Sequence, residues 1–244
     1  MTEMISFGCG VNSVAMAIML IDKGWKGPIV FADTGGEHPE TYCYLRYFER
    51  EYLIPRGLSV TQISPKTNPE LYNDKKVKLG LTLEEYCRSY QMIPLMRVRW
   101  CSVMYKKDPL QCWGKQNNIE TQLIGIAYDE PKRIRDGNYP LVEAGIDRKD
   151  CIGIITKAGL EVPRKSGCFF CPSQPVRGWR ELYFNDPGLY ERAAMLEDAA
   201  NERVGGGVSL TWGGPTLREK AIIRNWEGQS RMDFEELKPC ICAI

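Results

Sequence analysis

Short apolar runs, each closed by a turn and followed by a helical stripe, recur through the first 160 residues; this alternation constrains the fold more than any other feature. Met4 to Phe7 enters a glycine-bearing turn, after which Val14, Ala17, Ile18 and Ile21 recur at helical spacing and stop at Gly24. Ile29 to Ala32 is a second buried-strand pattern. Pro39 then suits the first turn of a helix, with Glu37 and Glu40 at the positive end of its dipole and Tyr44, Phe48 and Tyr52 along one face. Leu58 to Ile63 and Thr121 to Ala127 read as further strands, Leu83 to Tyr90 and Asp108 to Asn117 as helices. Asp147 is placed to cap a helix running to Lys157, with Ile152 and Ile155 facing inward and Gly159 ending it. Strands separated by helices of this length imply right-handed crossovers and an open, Rossmann-like parallel α/β sheet. From Val162 the character changes. Pro, Gly and Cys break the pattern over 163–178, one helix is expected from Pro187 to Arg203, and the tail reads as irregular. The expected organisation is an α/β domain over 1–160 and a cysteine-containing, mainly helical segment over 161–244 packed on it.

Composition excludes more than it assigns. The 32 basic and 31 acidic residues leave a formal net charge of +1, so no global field favours nucleic acid or a membrane surface. The longest apolar run, Val14 to Ile21, is far short of a membrane span, and MTEMIS lacks the basic-then-apolar build of a signal peptide. A soluble, cytoplasmic protein is the expectation. A single histidine, His38, rules out sites that need two imidazoles and disfavours imidazole acid–base chemistry. Ten cysteines without a secretion signal point to metal or reactive thiols more than to a disulfide framework.

Open parallel sheets bind ligands beyond the carboxyl ends of their strands. The first such end carries Ser6-Phe7-Gly8-Cys9-Gly10-Val11-Asn12-Ser13, the second Asp33-Thr34-Gly35. Glycines let backbone N–H groups close around phosphate oxygens, and a helix starting near Ser13 adds its positive end. Taken alone, the loop reads equally well as a tight βα turn. No Gly-Lys-Ser/Thr follows it, and its glycine spacing is not that of a dinucleotide fingerprint.

Cys168-Phe169-Phe170-Cys171, followed by Pro172, supplies two thiolates that can grip one metal or one edge of a cluster. Cys101 lies in a basic stretch with Arg97, Arg99, Lys106 and Lys107, and Cys240-Ile241-Cys242 forms a C-x-C in the tail. An iron–sulfur cluster, an all-cysteine zinc site and a metal-free dithiol are each compatible with these spacings. Cys9, Cys43, Cys87, Cys112 and Cys151 fall in strand or helix patterns and read as structural, and Trp179, Tyr190 and Leu196 read as core.

SFGCGVNS followed by FADTGGEHPETY resembles the phosphoadenosine phosphosulfate (PAPS) reductase family of the ATP-pyrophosphatase, or PP-loop, superfamily, whose fold is adenine nucleotide alpha-hydrolase-like. Further blocks continue in order: Cys101 to Lys107, Gly125-Ile126 leading to Asp129, Glu130 and Arg133, and SGCFFCP at 166–172. The resemblance covers most of residues 4–175. It implies that Ser6, Gly8, Gly10, Asn12 and Ser13 hold phosphates and that Asp33 and Thr34 meet the nucleoside. It also implies that Gly125 lies against the nucleotide, with Arg133 and Lys106 near its charge. Asn12 stands where ATP-using relatives often carry Asp. That removes a carboxylate for magnesium and leaves open a smaller magnesium role or a nucleotide other than ATP. Relatives similar in cysteine pattern hold a four-iron four-sulfur cluster, which places the expected ligands at Cys101, Cys168 and Cys171, with zinc as the alternative. Trp100 stands where many relatives show a second Cys, so three ligands match.

Three functions follow from the resemblance. In the first, ATP adenylylates an acceptor and sulfur replaces the activated oxygen. In the second, a sulfonucleotide reductase, Cys240 or Cys242 attacks a sulfonate sulfur and sulfite leaves, although KPCICAI departs from the reductases' E-C-G-x-H ending. The third is a non-catalytic nucleotide-binding partner subunit with a structural cluster. The first is preferred. A nucleic-acid acceptor, a sulfur-donor protein and a homodimer are the partners this reading leaves room for.

Overall fold

Four short strands, β1 (Glu3–Ser6), β2 (Ile29–Ala32), β3 (Val60–Ile63) and β4 (Thr121–Ile124), form one parallel sheet in the order β3-β2-β1-β4. Ile5 stands opposite both Ile29 and Leu123, and Ile29 opposite Val60. The computed structural model describes residues 2–72, 80–211 and 214–228. The chain moves outward from β1 through β2 to β3, then returns to place β4 on the other side of β1. Strand order therefore reverses between β1 and β4, and the crevice beyond Ser6 and Ile124 is where such sheets take ligands.

Alternation of side chains along each strand splits the core in two. Ile5, Ile29, Phe31, Val60 and Leu123 face one side, where α1 (Val11–Asp22), α2 (Pro39–Phe48) and later helices cover them. Met4, Val30, Ala32 and Ile63 face the other, against α3 (Leu83–Ser89) and α5 (Asp108–Gln116), with the short turn α4 (Trp100–Ser102) between them in sequence. Phe48 stacks between Phe7 and Tyr52, with centroids 5.5 Å away on each side. The spacing by four along α2 thus becomes a ring ladder that fixes this helix over the end of β1.

After β4 the chain forms α6 (Pro140–Glu143) and α7 (Arg148–Lys157), which pack beside α1. Asp147 caps α7 with its carboxylate on the Asp150 amide, as its position predicts. The inward face differs from the expectation: Ile152 is 40% exposed, whereas Cys151 and Ile155 are fully buried. Residues four apart share a helix face, and that pair, not Ile152, points at α1. The region from 163 onward is also more regular than expected. It contains α8 (Val176–Asn185), α9 (Pro187–Val204) and α10 (Leu217–Ile223). Thr216 and Glu219 close a capping box at the start of α10, a local signal that the irregular reading of the tail passed over.

Phe169, Phe170, Trp179, Leu189, Tyr190 and Trp226 complete the core on the Met4 side of the sheet. Glu197, fully buried, accepts the Leu210 and Leu217 amides at 2.6 and 2.5 Å and so ties Leu210 and the start of α10 to α9. Among the described residues, no helix is long and apolar enough to cross a membrane.

Candidate functional site

At the end of β1 the Phe7 amide still bonds to Val30, and the backbone then turns through Gly8, Cys9 and Gly10 into α1. Cys9 is left-handed at φ 54°, an uncommon state for a side chain other than Gly, Asn or Asp. The Ser13 hydroxyl accepts from the Gly10 amide at 3.1 Å and donates to the Gly10 carbonyl at 3.0 Å, which locks the loop shut around the helix start. The first amides of α1 have no acceptor within the helix, so they and its dipole form an anion site. Two glycines permit the close packing around it. A Cβ on Gly125 would come within 2.8 Å of the Ser13 backbone, and one on Gly10 within 2.9 Å of the Ser166 hydroxyl. Ser6, Gly8, Gly10, Asn12, Ser13 and Gly125 are thus brought together.

Asn12 is buried and held at both ends. Its Nδ2 donates to Glu130 Oε2 at 2.7 Å, and its Oδ1 accepts from Arg148 Nη1 at 3.0 Å. Arg133, expected beside the phosphates, pairs at 2.7 Å with Glu130, the residue that holds Asn12, and is half exposed. Arg148 is the arginine that meets the loop, and sequence reasoning missed it. A signal was present: Arg148 is the first helical residue after the Asp147 cap, and a cation at a helix N-terminus works against the dipole.

The end of β2 is built from side chains. Asp33 accepts the Gly35 amide at 2.8 Å and the Tyr42 hydroxyl at 2.6 Å, and burial together with this bond raises the Tyr42 pKa. Thr34 is buried, and its hydroxyl faces inward: Glu37 Oε1 and Cys168 Sγ each lie 3.2 Å away. The hydroxyl is thus engaged within the protein. The stretch 36–38 pairs with 167–169, through His38 N to Gly167 O at 3.0 Å, Phe169 N to Gly36 O at 2.9 Å and an antiparallel bridge between Glu37 and Cys168. Phe169 and Phe170 anchor this cysteine knuckle in the core, with the Arg192 guanidinium 4.9 Å from the Phe169 ring centre. A cavity of about 300 Å³ reaches Cys9, Cys168 and Cys171 between α2 and α8; none of the expected nucleotide residues lines it.

Glu37 sits at the centre of this arrangement. Its side chain is fully buried, Lys106 Nζ lies 2.8 Å from Oε1, and Cys168 Sγ lies 3.9 Å from the same oxygen. Oε2 is sealed from solvent without a hydrogen-bond partner, a state that costs about 1–3 kcal/mol. Burial lowers the Lys106 pKa, but the Glu37 carboxylate, aided by Cys168, outweighs it, and the net shift is upward. Burial first, then Glu37, holds the Cys168 thiol well above its ordinary pKa. Burial and the nearby Cys171 raise that of Cys101.

Cys101, Cys168 and Cys171 therefore share one neighbourhood beside Lys106. Thiols beside a cation are suitable chemistry for a cluster. Among the described residues, no three His, Cys, Asp or Glu side chains are gathered closely enough to hold a metal ion, and Cys168 is turned onto Thr34 and Glu37. Cys240 and Cys242, the expected tail nucleophiles, lie outside the described residues.

Residues 2–138 match the phosphoadenosine phosphosulfate reductase domain. The chain is also similar to the nin region protein ORF290 of Escherichia phage lambda, at 28% identity over 197 residues, 70% of this chain and 66% of that protein. It thus spans just under two thirds of that relative's length. Among solved structures it is similar to the phosphoadenylyl-sulfate (PAPS) reductase from Candida auris in complex with phosphate. The TM-score is 0.46 at 16% identity, covering 68% of this chain and 80% of the other.

Proposed function

The chain belongs to the phosphoadenosine phosphosulfate reductase domain family, and on that premise we propose that it is an enzyme transferring sulfur to an acceptor that ATP has adenylylated. One observation carries the reading. The knuckle cysteine Cys168 is paired onto the turn that follows β2, the strand next to the one that carries the anion-binding loop, so thiols and nucleotide loop lie beyond adjoining strand ends. The phosphates would lie on the free amides of Val11–Ser13, with Arg148 drawing off charge at the mouth. An acceptor oxygen attacks the α-phosphorus and pyrophosphate leaves. A sulfur nucleophile then attacks the activated centre, and AMP departs with the oxygen. Position 12 offers magnesium no carboxylate, and Glu130, bonded to Asn12, is the nearest one. No step is routed through a cluster.

A second reading, sulfonucleotide reduction, is favoured by the matched domain itself. There a thiolate attacks the sulfonyl sulfur and the nucleotide phosphate leaves; a second thiol then forms a disulfide and releases sulfite. The test is anaerobic incubation with ATP and an acceptor pool, and separately with adenylylsulfates, assaying pyrophosphate and sulfite. Pyrophosphate release that depends on Ser13 and Asp33 is the expected result. Sulfite without pyrophosphate would replace this reading with the second. Iron and sulfide analysis of the same anaerobic samples, with Cys101, Cys168 and Cys171 each changed to Ala, tests the cluster: four irons lost in every variant would require Cys168 to leave Thr34 and Glu37.

A further inference from the structure

We propose that the cavity between α2 and α8 is a second small-molecule site, separate from the anion loop, and that it takes the sulfur donor: the persulfide of a small amino-acid thiol, which loads sulfur onto Cys171. The inference rests on the sulfur-transfer reading and supplies the source of its sulfur. At about 300 Å³ the cavity is at the lower end of what small ligands occupy, roughly 300–1,000 Å³. One wall still reaches the nucleotide loop. Ser166 borders the cavity, and its hydroxyl is what a Cβ on Gly10 would meet at 2.9 Å. Sulfur loaded here is therefore set down beside the loop.

Three thiols reach the cavity, and two of them are spent on protein partners. Cys9 Sγ donates to the Thr41 carbonyl at 3.4 Å, and Cys168 Sγ is turned onto Thr34 and Glu37. Cys171 is partly exposed, and its Sγ has no hydrogen-bond partner among the described residues. The charges sort in the same way. Arg164 pairs with Glu40 and Glu181, and Arg177 with Glu181. Lys165 and Asp186 make no salt bridge among the described residues. The Lys165 ammonium rests on the carbonyl of Ser173, close to Cys171 in sequence, at 3.2 Å, and one Asp186 oxygen caps α9. An unpaired cation, an unpaired anion and an unpartnered thiol complement an amino acid with a sulfur side chain. Its carboxylate goes to Lys165, its ammonium to Asp186 and its sulfur to Cys171.

In the loading step the Cys171 thiolate attacks the outer sulfur of the donor's S–SH group. The donor's S–S bond breaks, a new S–S bond forms on Cys171, and the donor leaves as a thiol, taking up the proton that Cys171 gave. One sulfur atom moves, and no oxidant or reductant is consumed.

The experiment exposes the anaerobic full chain to the persulfide of cysteine and, separately, to that of mercaptoethanol, which offers the same reacting bond without charges. Peptide mass spectrometry reads the gain of sulfur at each cysteine. Cys112, partly exposed and outside the cavity, is the internal reference. Cys171 should load saturably and at least tenfold faster from the cysteine persulfide, while Cys112 loads alike from both. Lys165→Met, at an exposed side chain, should bring Cys171 down to the rate seen with the neutral donor, and Asp186→Asn, which keeps the cap, should do so in part. Equal loading of Cys171 from both donors, or none, overturns the inference. So does iron that the anaerobic protein holds and Cys171→Ala loses, because the thiol is then a metal ligand. Either failure leaves the sulfur-transfer reading to stand on pyrophosphate release. Selective loading of Cys171 together with sulfite from adenylylsulfate and no pyrophosphate keeps the site and overturns that reading instead.

Discussion

At the end of β1 the ligand-facing groups are backbone amides shaped by Gly8, Gly10 and the Ser13 cap, all within eight residues of one another. At the end of β2 they are side chains drawn from three distant stretches: Thr34 and Glu37, Lys106, and Cys168. The first arrangement depends on backbone room and on the one side chain, Ser13, that closes it. The second tolerates neither loss of a charge nor loss of a partner, because the fully buried Glu37 carboxylate depends on the partly exposed Lys106 for its counter-charge. Substitutions at the two ends should therefore fail in different ways.

The largest effect should come from Lys106→Met, which strands the Glu37 carboxylate in the interior. Breaking a buried ion pair on one side destabilises by about 3 kcal/mol or more, readable by urea denaturation, and Glu37→Gln in the same chain should recover most of it. The pH dependence follows from the sign of the lysine's shift. Its pKa is raised in the folded protein, so the pair's contribution is full below the ordinary lysine value of about 10.4 and is lost only as pH rises beyond it. Between roughly pH 6 and 9 the ion pair's own contribution to wild-type stability should therefore stay flat, neutral conditions being far below that value. A contribution lost toward the alkaline side of this range would show that the lysine is not what holds Glu37.

Gly125→Ala tests the other end. Its Cβ would meet the Ser13 backbone at 2.8 Å, and backbone cannot step aside as a flexible side chain can. Overpacking of this kind costs about 1–3 kcal/mol, and calorimetry should show nucleotide binding reduced with it. Retained stability and affinity would mean that α1 and the β4 turn are not in the contact described. Next comes a contrast between two arginines. Arg148→Ala should weaken ATP binding about tenfold, or about 1.4 kcal/mol, while Arg133→Ala, at a half-exposed pair with Glu130, should change it less than threefold. The reverse ranking would return Arg133 to the phosphates. Smallest of all, Ile152→Ser should move stability by no more than about 0.5 kcal/mol, whereas Ile155→Ala should cost about 2–4 kcal/mol. Equal costs would reverse the assigned face of α7.

Much of the first strand end was readable before any coordinates. An apolar run, glycines and a serine at the helix start are local statements, and so is the Asp147 cap, whose partner Asp150 lies three residues on. Arg148 was readable in principle, as a cation where the dipole disfavours one. The face of α7 was misread because Ile152 is as apolar as Ile155, and only the position of α1 distinguishes them.

By itself the sequence determined the parallel α/β sheet and the loop after β1, because periodicity and capping are settled among neighbouring residues, and its motifs in their order carried the resemblance to the family. Tertiary structure alone decided which groups surround the thiols. Glu37 reads in sequence as an ordinary first-turn acid of a helix. It becomes a buried carboxylate only because Cys168, 131 residues further on, pairs with its backbone and Lys106 arrives from a third stretch. Burial and charge pairing of that kind depend on what the fold places opposite a residue, and no local pattern encodes it.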